Sequence, residues 1–289
     1  MLANELSQSQ EVSVPTETQP ILQKQESEKS FNSSGKGGLI DTHCHIHSLE
    51  SPSDGERELQ RAFENGVDRV IVVGVNKADW RTAIDFAEKH KNVYAICGWH
   101  PNYTMEYDPI DLPVLINCLK HPKVLALGEI GLDYHWDYAP TAIQLQALKD
   151  QLKVADQLQL PVVFHAREAY SDLLDVLEKR PPMKYLFHCW AGNKDEARRA
   201  LRLGAWFGCD GPITYKKAEE LREVFAFIPP HKIVLETDSP YMAPEPFRGK
   251  PNSPANIPLI NAKLAELHGM SQEEMADQTT QNARDFFGF

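Results

Sequence analysis

Asp41, His43, His45 and His47 occupy alternate positions in the stretch LIDTHCHIHSLE, residues 39–50. Imidazole and carboxylate groups bind divalent cations, so the stretch reads either as part of a metal site or as a histidine-rich patch on an exposed strand. Residues two apart on a strand face one side, about 6.6 Å apart at Cα, and His43 and His45 can then converge on one ion. The same residue types recur further on, each behind an apolar run. His100 closes VYAICGWH, Glu129 and then Asp133 stand in VLALGEIGLDY, His165 follows PVVF, His188 follows YLF, and Asp238 ends IVLETD. A carboxylate such as Glu129, behind apolar residues and beside glycine, needs a counter-charge when buried, either an arginine or a metal. Glu236, two residues before Asp238, would share its face and support it. His43, His45, Glu129, His165, His188 and Asp238 are too many ligands for one catalytic ion with an open position. They suit two ions roughly 3.5–4 Å apart, bridged by Glu129 and activating a water between them. Mixed imidazole and carboxylate ligands accept Mg²⁺, Mn²⁺ or Zn²⁺ without choosing among them.

Residues so far apart in sequence meet only if the chain returns repeatedly to one place. From Leu39 onward, short apolar runs alternate with amphipathic ones. LIDTHCHI, RVIVVGV, VYAICGWH, VLALGEIGLDY, PVVFHA, YLFHCW, AWFGCDGPI and KIVLETDSPY are each followed by a helical pattern, and a last helix is predicted near Gln272–Phe286. Strands that are almost wholly apolar suit a parallel sheet covered by helices. Eight such units in about 250 residues predict an α/β fold of the (β/α)₈ TIM-barrel type, whose active site lies at the C-terminal strand ends. A doubly wound open sheet is the alternative, but DTHCHIHS lacks the glycine-rich turn expected after its first strand. On the barrel reading the candidate ligands fall at one end of six strands, and only the second and seventh strand ends offer no strong ligand. His47 lies past the end of the first strand and drops out of the ligand set. Asp41, beneath His43 and His45 on the same face, is expected to support them.

Residues 1–37 are rich in Ser, Gln and Glu and read as a disordered tail, leaving residues 38–289 as one barrel domain. The net charge of −11 argues against a protein that coats nucleic acid through a broad basic surface. It leaves room for an enzyme that grips one phosphodiester through divalent ions, which reverse the sign of an acidic pocket locally. Five cysteines, an odd number without C-x-x-C spacing, read as reduced buried thiols. The sequence shows no run of about 18 apolar residues and no secretory pattern, so a cytoplasmic location without membrane contact is expected. No protein partner is legible.

The motifs DTHCHI, GWHP, GEIGLDY, PVVFHARE, FHCWAG and ETDSPYMAP, followed by FRGKPNSPANIP, together resemble the TatD-type metal-dependent deoxyribonucleases, within the wider amidohydrolase-like barrels. The resemblance runs from about Leu39 to the C-terminus. It implies that His43, His45 and Asp238 hold one ion, that His165 and His188 hold the other, and that Glu129 bridges them. It further implies that His100 faces the substrate phosphate, that Asp133 supports the ligands, and that Asp238 accepts a proton from the attacking water. Two departures stand out. After His188 the chain reads CWAGN, where the family more often has phenylalanine and then serine before the glycine. The family's Asn-Glu-Pro is Asn252-Ser253-Pro254, which puts the packing of that loop in question. Neither change touches an expected ligand.

The expected activity is therefore hydrolysis of phosphodiesters in DNA, on single strands or 3′ ends, with two divalent cations per subunit. Arg248 and Lys250, after the eighth strand, are candidates for flanking phosphates; Tyr103, Tyr134 and Trp190 are candidates for stacking on a base. The main alternative is hydrolysis of a small cyclic amide or ester on the same barrel. Many such enzymes bridge their metals with a modified lysine on the fourth strand, whereas here that strand offers only Glu129. A third reading, a non-catalytic binding module, sits poorly with the intact ligand set.

Overall fold

Eight strands pair side by side in sequence order, each parallel to the next. They are β1 (Leu39–Cys44), β2 (Val67–Gly74), β3 (Val93–Cys97), β4 (Val124–Asp133), β5 (Val162–Arg167), β6 (Tyr185–Phe187), β7 (Trp206–Cys209) and β8 (Ile233–Leu235). The computed structural model describes residues 38–289; the tail expected over 1–37 lies outside the described residues. Between the strands run α1 (Pro52–Glu64), α2 (Lys77–Lys89), α3 (Leu112–Leu119), α4 (Thr141–Leu158), α5 (Tyr170–Leu177), α6 (Lys194–Arg202) and α7 (Glu219–Phe227). After β8 come α8 (Ile257–His268) and α9 (Gln272–Phe287). This is the expected (β/α)₈ barrel. No described helix is long and apolar enough to cross a membrane.

The apolar runs are explained by burial on both faces. Within each strand, alternate residues divide between two cores. Ile71 and Val73, Ile96, Val163, Leu186 and Val234 fill the barrel interior, together with Phe286 and Phe287 of α9. Val70 and Val72, Ala95 and Cys97, Val162 and Phe164, Tyr185 and Phe187, and Ile233 and Leu235 pack outward against the helices. The period of two is therefore present but invisible to hydropathy, because both phases are apolar. Following the inward phase upward gives His165 after Val163, His188 after Leu186, and Glu236 and Asp238 after Val234.

That phase is interrupted where Leu39 and Ile40 meet β2, where Ala95 and Ile96 meet β4, and at two places next to the site. Asp41 pairs with Val70 and Cys44 with Val72, three residues advancing against two. Leu127 pairs with Val162 and Ile130 with Phe164, again three against two. Such bulges insert one residue and re-aim the side chains beyond it. Here they lie at His43 and at Glu129. The plain alternation expected for Asp41, His43 and His45 is thereby corrected: β1 ends at Cys44, and His45 stands after it with φ −118° and ψ 29°.

The barrel is closed between β8 and β1 by contacts that mix backbone and side chain. The Asp238 amide donates to His43 O (2.9 Å) and the His45 amide to Ser239 O (2.7 Å). Below them Thr42 Oγ1 donates to Leu235 O (2.9 Å), and Asp41 accepts from the Thr237 amide (3.0 Å) and hydroxyl (2.6 Å). Asp41 thus ties the seam that carries His43 and Asp238. Burial pushes its carboxyl up to about 7, against the hydrogen bonds from Thr237. The loop with Ser253 in place of glutamate remains pinned: Asn252 Nδ2 donates to Thr237 O (2.8 Å), and Ser253 Oγ accepts from the Ala255 amide (3.2 Å).

Candidate metal centre

At the C-terminal mouth of the barrel, Glu129 stands 2% exposed among four imidazoles. Its Oε2 lies 3.3 Å from His43 Nε2, and its Oε1 lies 2.6 Å from His188 Nε2, 2.8 Å from His165 Nδ1 and 3.5 Å from His100 Nε2. Asp238 Oδ1 lies 3.3 Å from His45 Nε2 and 3.8 Å from His43 Nε2. All six residues expected as ligands therefore meet, and the two oxygens of Glu129 face different histidines. Asp238 is held with φ +54°, a conformation uncommon outside glycine that turns the chain back over the barrel end.

Hydrogen bonds on the far sides of the rings decide which nitrogen each ring offers. His165 Nε2 meets Asp133 Oδ2 at 2.9 Å, leaving Nδ1 for the cluster. His188 turns Nε2 to the cluster, while its Nδ1 lies 3.6 Å from Glu236 Oε1, beyond hydrogen-bond distance. Carboxylates behind metal-binding histidines fix ring orientation as Asp133 does for His165. His100 differs. Its Nδ1 accepts from the Asn102 amide (3.1 Å), so in the neutral ring Nε2 carries the proton. His100 then presents a donor, not a lone pair, although it can be grouped with Glu129 and His165 by distance alone. His43 is wholly buried, and neither ring nitrogen has a hydrogen-bond partner among the described residues. An orphaned buried imidazole beside two carboxylates fits a divalent cation, and so does the imidazole–carboxylate donor set.

The titration behaviour without metal follows from this crowding. Burial alone would raise Glu129, but the charges of His188, His100 and His43 outweigh it and hold the carboxyl well below its usual range. Burial would lower His188, but Glu129 and then Glu236 outweigh it and raise the ring well above 6.5. His45 is raised likewise, against burial, by Asp238, and His165 by Asp133 and Glu129. His43 and His100 are lowered by burial, which Glu129 only partly opposes.

One strand end was misjudged from sequence. Asp210, directly after β7, is buried, accepts from Cys189 Sγ (2.8 Å), and feels Glu236 and Asp238. Its signal is the one read at Glu129, a carboxylate between an apolar strand and a glycine in FGCDG. Glu236 sits beside it, its carboxylate occupying the space a Cβ on Gly208 would take, 2.3 Å away. Burial, then Glu236, pushes the Asp210 carboxyl up to about 8. A folded-state value above the unfolded one gives stability that is complete below about pH 4 and lost as pH rises through about 8. The Asp210→Asn variant has no such loss. Urea unfolding in chelator should therefore show the stability difference moving in its favour by about 1.4 kcal/mol per pH unit between roughly pH 4 and 8. A difference independent of pH would exclude a protonated Asp210.

The other expected contacts divide. Trp190 is 0% exposed and packs against Tyr170, Phe187 and Phe207, so it offers no face to a base, contrary to expectation. Tyr134 is half-buried and its hydroxyl donates to Asp172 (2.8 Å). Tyr103 is exposed beside His100, ring centroids 6.1 Å apart. Arg248 lies over the Tyr215 ring, 4.3 Å from its centroid, and Lys250 is exposed; no contact joins either to the cluster among the described residues.

The model of the TatD related DNase family matches residues 40–288. The chain is 35% identical over 251 residues to the uncharacterized metal-dependent hydrolase YabD of Bacillus subtilis, covering 86% of this chain and 98% of that protein. It is 31% identical over 258 residues to the 3′-5′ ssDNA/RNA exonuclease TatD of Erwinia amylovora, covering 86% and 100%. Among solved structures, the TatD homolog YJJV of Escherichia coli K12 superposes with a TM-score of 0.82 at 33% identity, covering 87% of this chain and 98% of that one.

Proposed function

The chain belongs to the TatD-related DNase family of metal-dependent hydrolases acting on ester bonds, and from the cluster around Glu129 we propose that it hydrolyses phosphodiesters in single-stranded DNA or at 3′ ends with two divalent cations. The observation that carries the reading is the position of Glu129. One of its oxygens faces His43 and the other faces His165 and His188, as a carboxylate shared by two ions requires. His43, His45 and Asp238 would hold one ion, and His165 and His188 the other. Bound there, the ions would polarise the phosphoryl oxygen and lower the pKa of the attacking water.

The protein's own groups do the rest. Asp238, an ionised carboxylate beside His45, takes the proton from the attacking water. His100 donates Nε2–H to a phosphoryl oxygen as negative charge develops on it. Asp133 holds His165 in the orientation that turns Nδ1 to the cluster, and the Glu236 carboxylate stands behind His188. Arg248 and Lys250 contribute positive charge for flanking phosphates. A single strand suits the site better than duplex, because an overall charge of −11 offers no broad basic face to a double helix. The mouth is rimmed by exposed rings, Tyr241 among them at 61%.

Chelator-treated protein should be inactive, and Mg²⁺, Mn²⁺ or Zn²⁺ should restore release of mononucleotides from end-labelled single strands. Protein so loaded that leaves DNA and RNA intact but opens a small cyclic amide would replace this reading with the amide-hydrolase one.

A further inference from the structure

A cavity of about 510 Å³ opens at the end of β5, lined by Tyr134, Arg167, Glu168, Tyr170, Asp172 and Asn193 among others. Its acids are already engaged. Glu168 meets His135 Nδ1 (2.7 Å), Asp172 accepts from the Tyr134 hydroxyl (2.8 Å), and Glu196 at its edge accepts from the Asn193 amide (2.7 Å). Arg167 is different: it is exposed and has no ion pair among the described residues. Its guanidinium instead lies over the Trp136 ring, 5.5 Å from the centroid. Trp136 is itself 44% exposed and stacks on exposed Tyr138, centroids 5.7 Å apart.

The placement of this pair ties it to the chemistry. His165 and Arg167 are two apart on β5, paired with Gly131 and Asp133 of β4. They share one face, with Arg167 about 6.6 Å further out along the strand. Asp133 links the two places: its Oδ2 meets His165, and its Oδ1 accepts from the His135 and Trp136 amides. A substrate lying on the cluster would therefore pass Arg167 next.

We propose that Trp136 and Arg167 form a nucleotide subsite next to the scissile position, with Arg167 taking a phosphate and Trp136 stacking on the base. The inference rests on the reading of the protein as a single-strand hydrolase and adds the recognition element to it. A guanidinium placed over an indole and free of any carboxylate partner keeps N–H groups for bidentate contact with a phosphate. An exposed tryptophan offers a stacking face that accepts any base, so the subsite favours unpaired strands without reading sequence.

The test measures binding and turnover in parallel, using Mg²⁺-loaded protein. A fluorescein-labelled phosphorothioate oligothymidylate reports binding by anisotropy, and bis(p-nitrophenyl) phosphate reports hydrolysis of a diester without a neighbouring nucleotide. Trp136→Ala and Arg167→Ala should each weaken oligonucleotide binding about five- to a hundredfold. Each should also lower the ratio of kcat/KM on oligonucleotide to that on the small diester. Arg167→Ala should reduce the salt slope of binding by about 0.7 and Trp136→Ala should not, separating phosphate from base contact. Trp136→Phe, which keeps a ring, should recover part of the loss. Variants that bind as wild type does, while wild type binds and cleaves, would overturn the subsite and leave the hydrolase reading standing. Wild type that neither binds nor cleaves the oligonucleotide would overturn both.

Discussion

Glu129→Gln should leave a folded barrel that no longer holds divalent metal and no longer hydrolyses its substrate. The carboxylate is buried among His43, His100, His165 and His188, and it is the larger part of what raises His188 and part of what raises His165. An amide of the same shape keeps the packing but removes the one acid whose two oxygens face both histidine groups. Removing one partner of a buried charged cluster costs about 3–5 kcal/mol. Expressed as metal affinity, that is a loss of about 10²–10⁴-fold. The change is legible without any substrate, by metal content after dialysis and by isothermal titration. Hydrolysis should fall with it, on small diesters and oligonucleotides alike. A Gln variant that retains bound metal and most of its turnover would remove Glu129 from the centre of the site.

Gly131→Ala should be almost as damaging, although the residue touches no substrate. Gly131 pairs with His165 across β4 and β5 and has φ +150°. A Cβ there would lie 1.9 Å from the carbonyl oxygen of His165. No flexible side chain can yield, so the strands must part at the register position that aims His165. The conformation costs about 1–2 kcal/mol and the overpacking about 1–3 more. A midpoint shift in urea unfolding, together with loss of metal from the His165 side, is the expected signature. Unchanged stability would mean that the β4–β5 ladder relaxes there freely.

Much of this architecture could be read from the chain because helix boundaries follow local chemistry. The last helix, expected near Gln272–Phe286, is found at Gln272–Phe287, and a helix follows each of the eight apolar runs as expected. The ligands were legible because a barrel puts one end of every strand in the same place. What escaped was phase. A bulge adds a residue without altering hydropathy, so the orientation of His43 and Glu129 could not be derived from counting alternate positions. Trp190 was misplaced for a related reason: it follows His188 at a strand end, but the turn at Cys189, φ +45°, sends its ring back into the helix layer. Asp210 was passed over although FGCDG carries the same signal as LGEIG. Trp136 and Arg167 stand out only once β4 and β5 are laid side by side.

The seam between β8 and β1 has a consequence for when in its life the molecule can act. His43 lies near the start of the barrel sequence and Asp238 just beyond its last strand, and they are joined by the hydrogen bond from the Asp238 amide to His43 O. During synthesis the chain would carry five of its six expected ligands once His188 is made, with nothing to complete the set until Asp238 follows. The sixth arrives with the segment that closes the ring. A chain cut short before β8 has neither a sealed wall nor a finished cluster, so premature termination yields an inert product instead of an unregulated hydrolase.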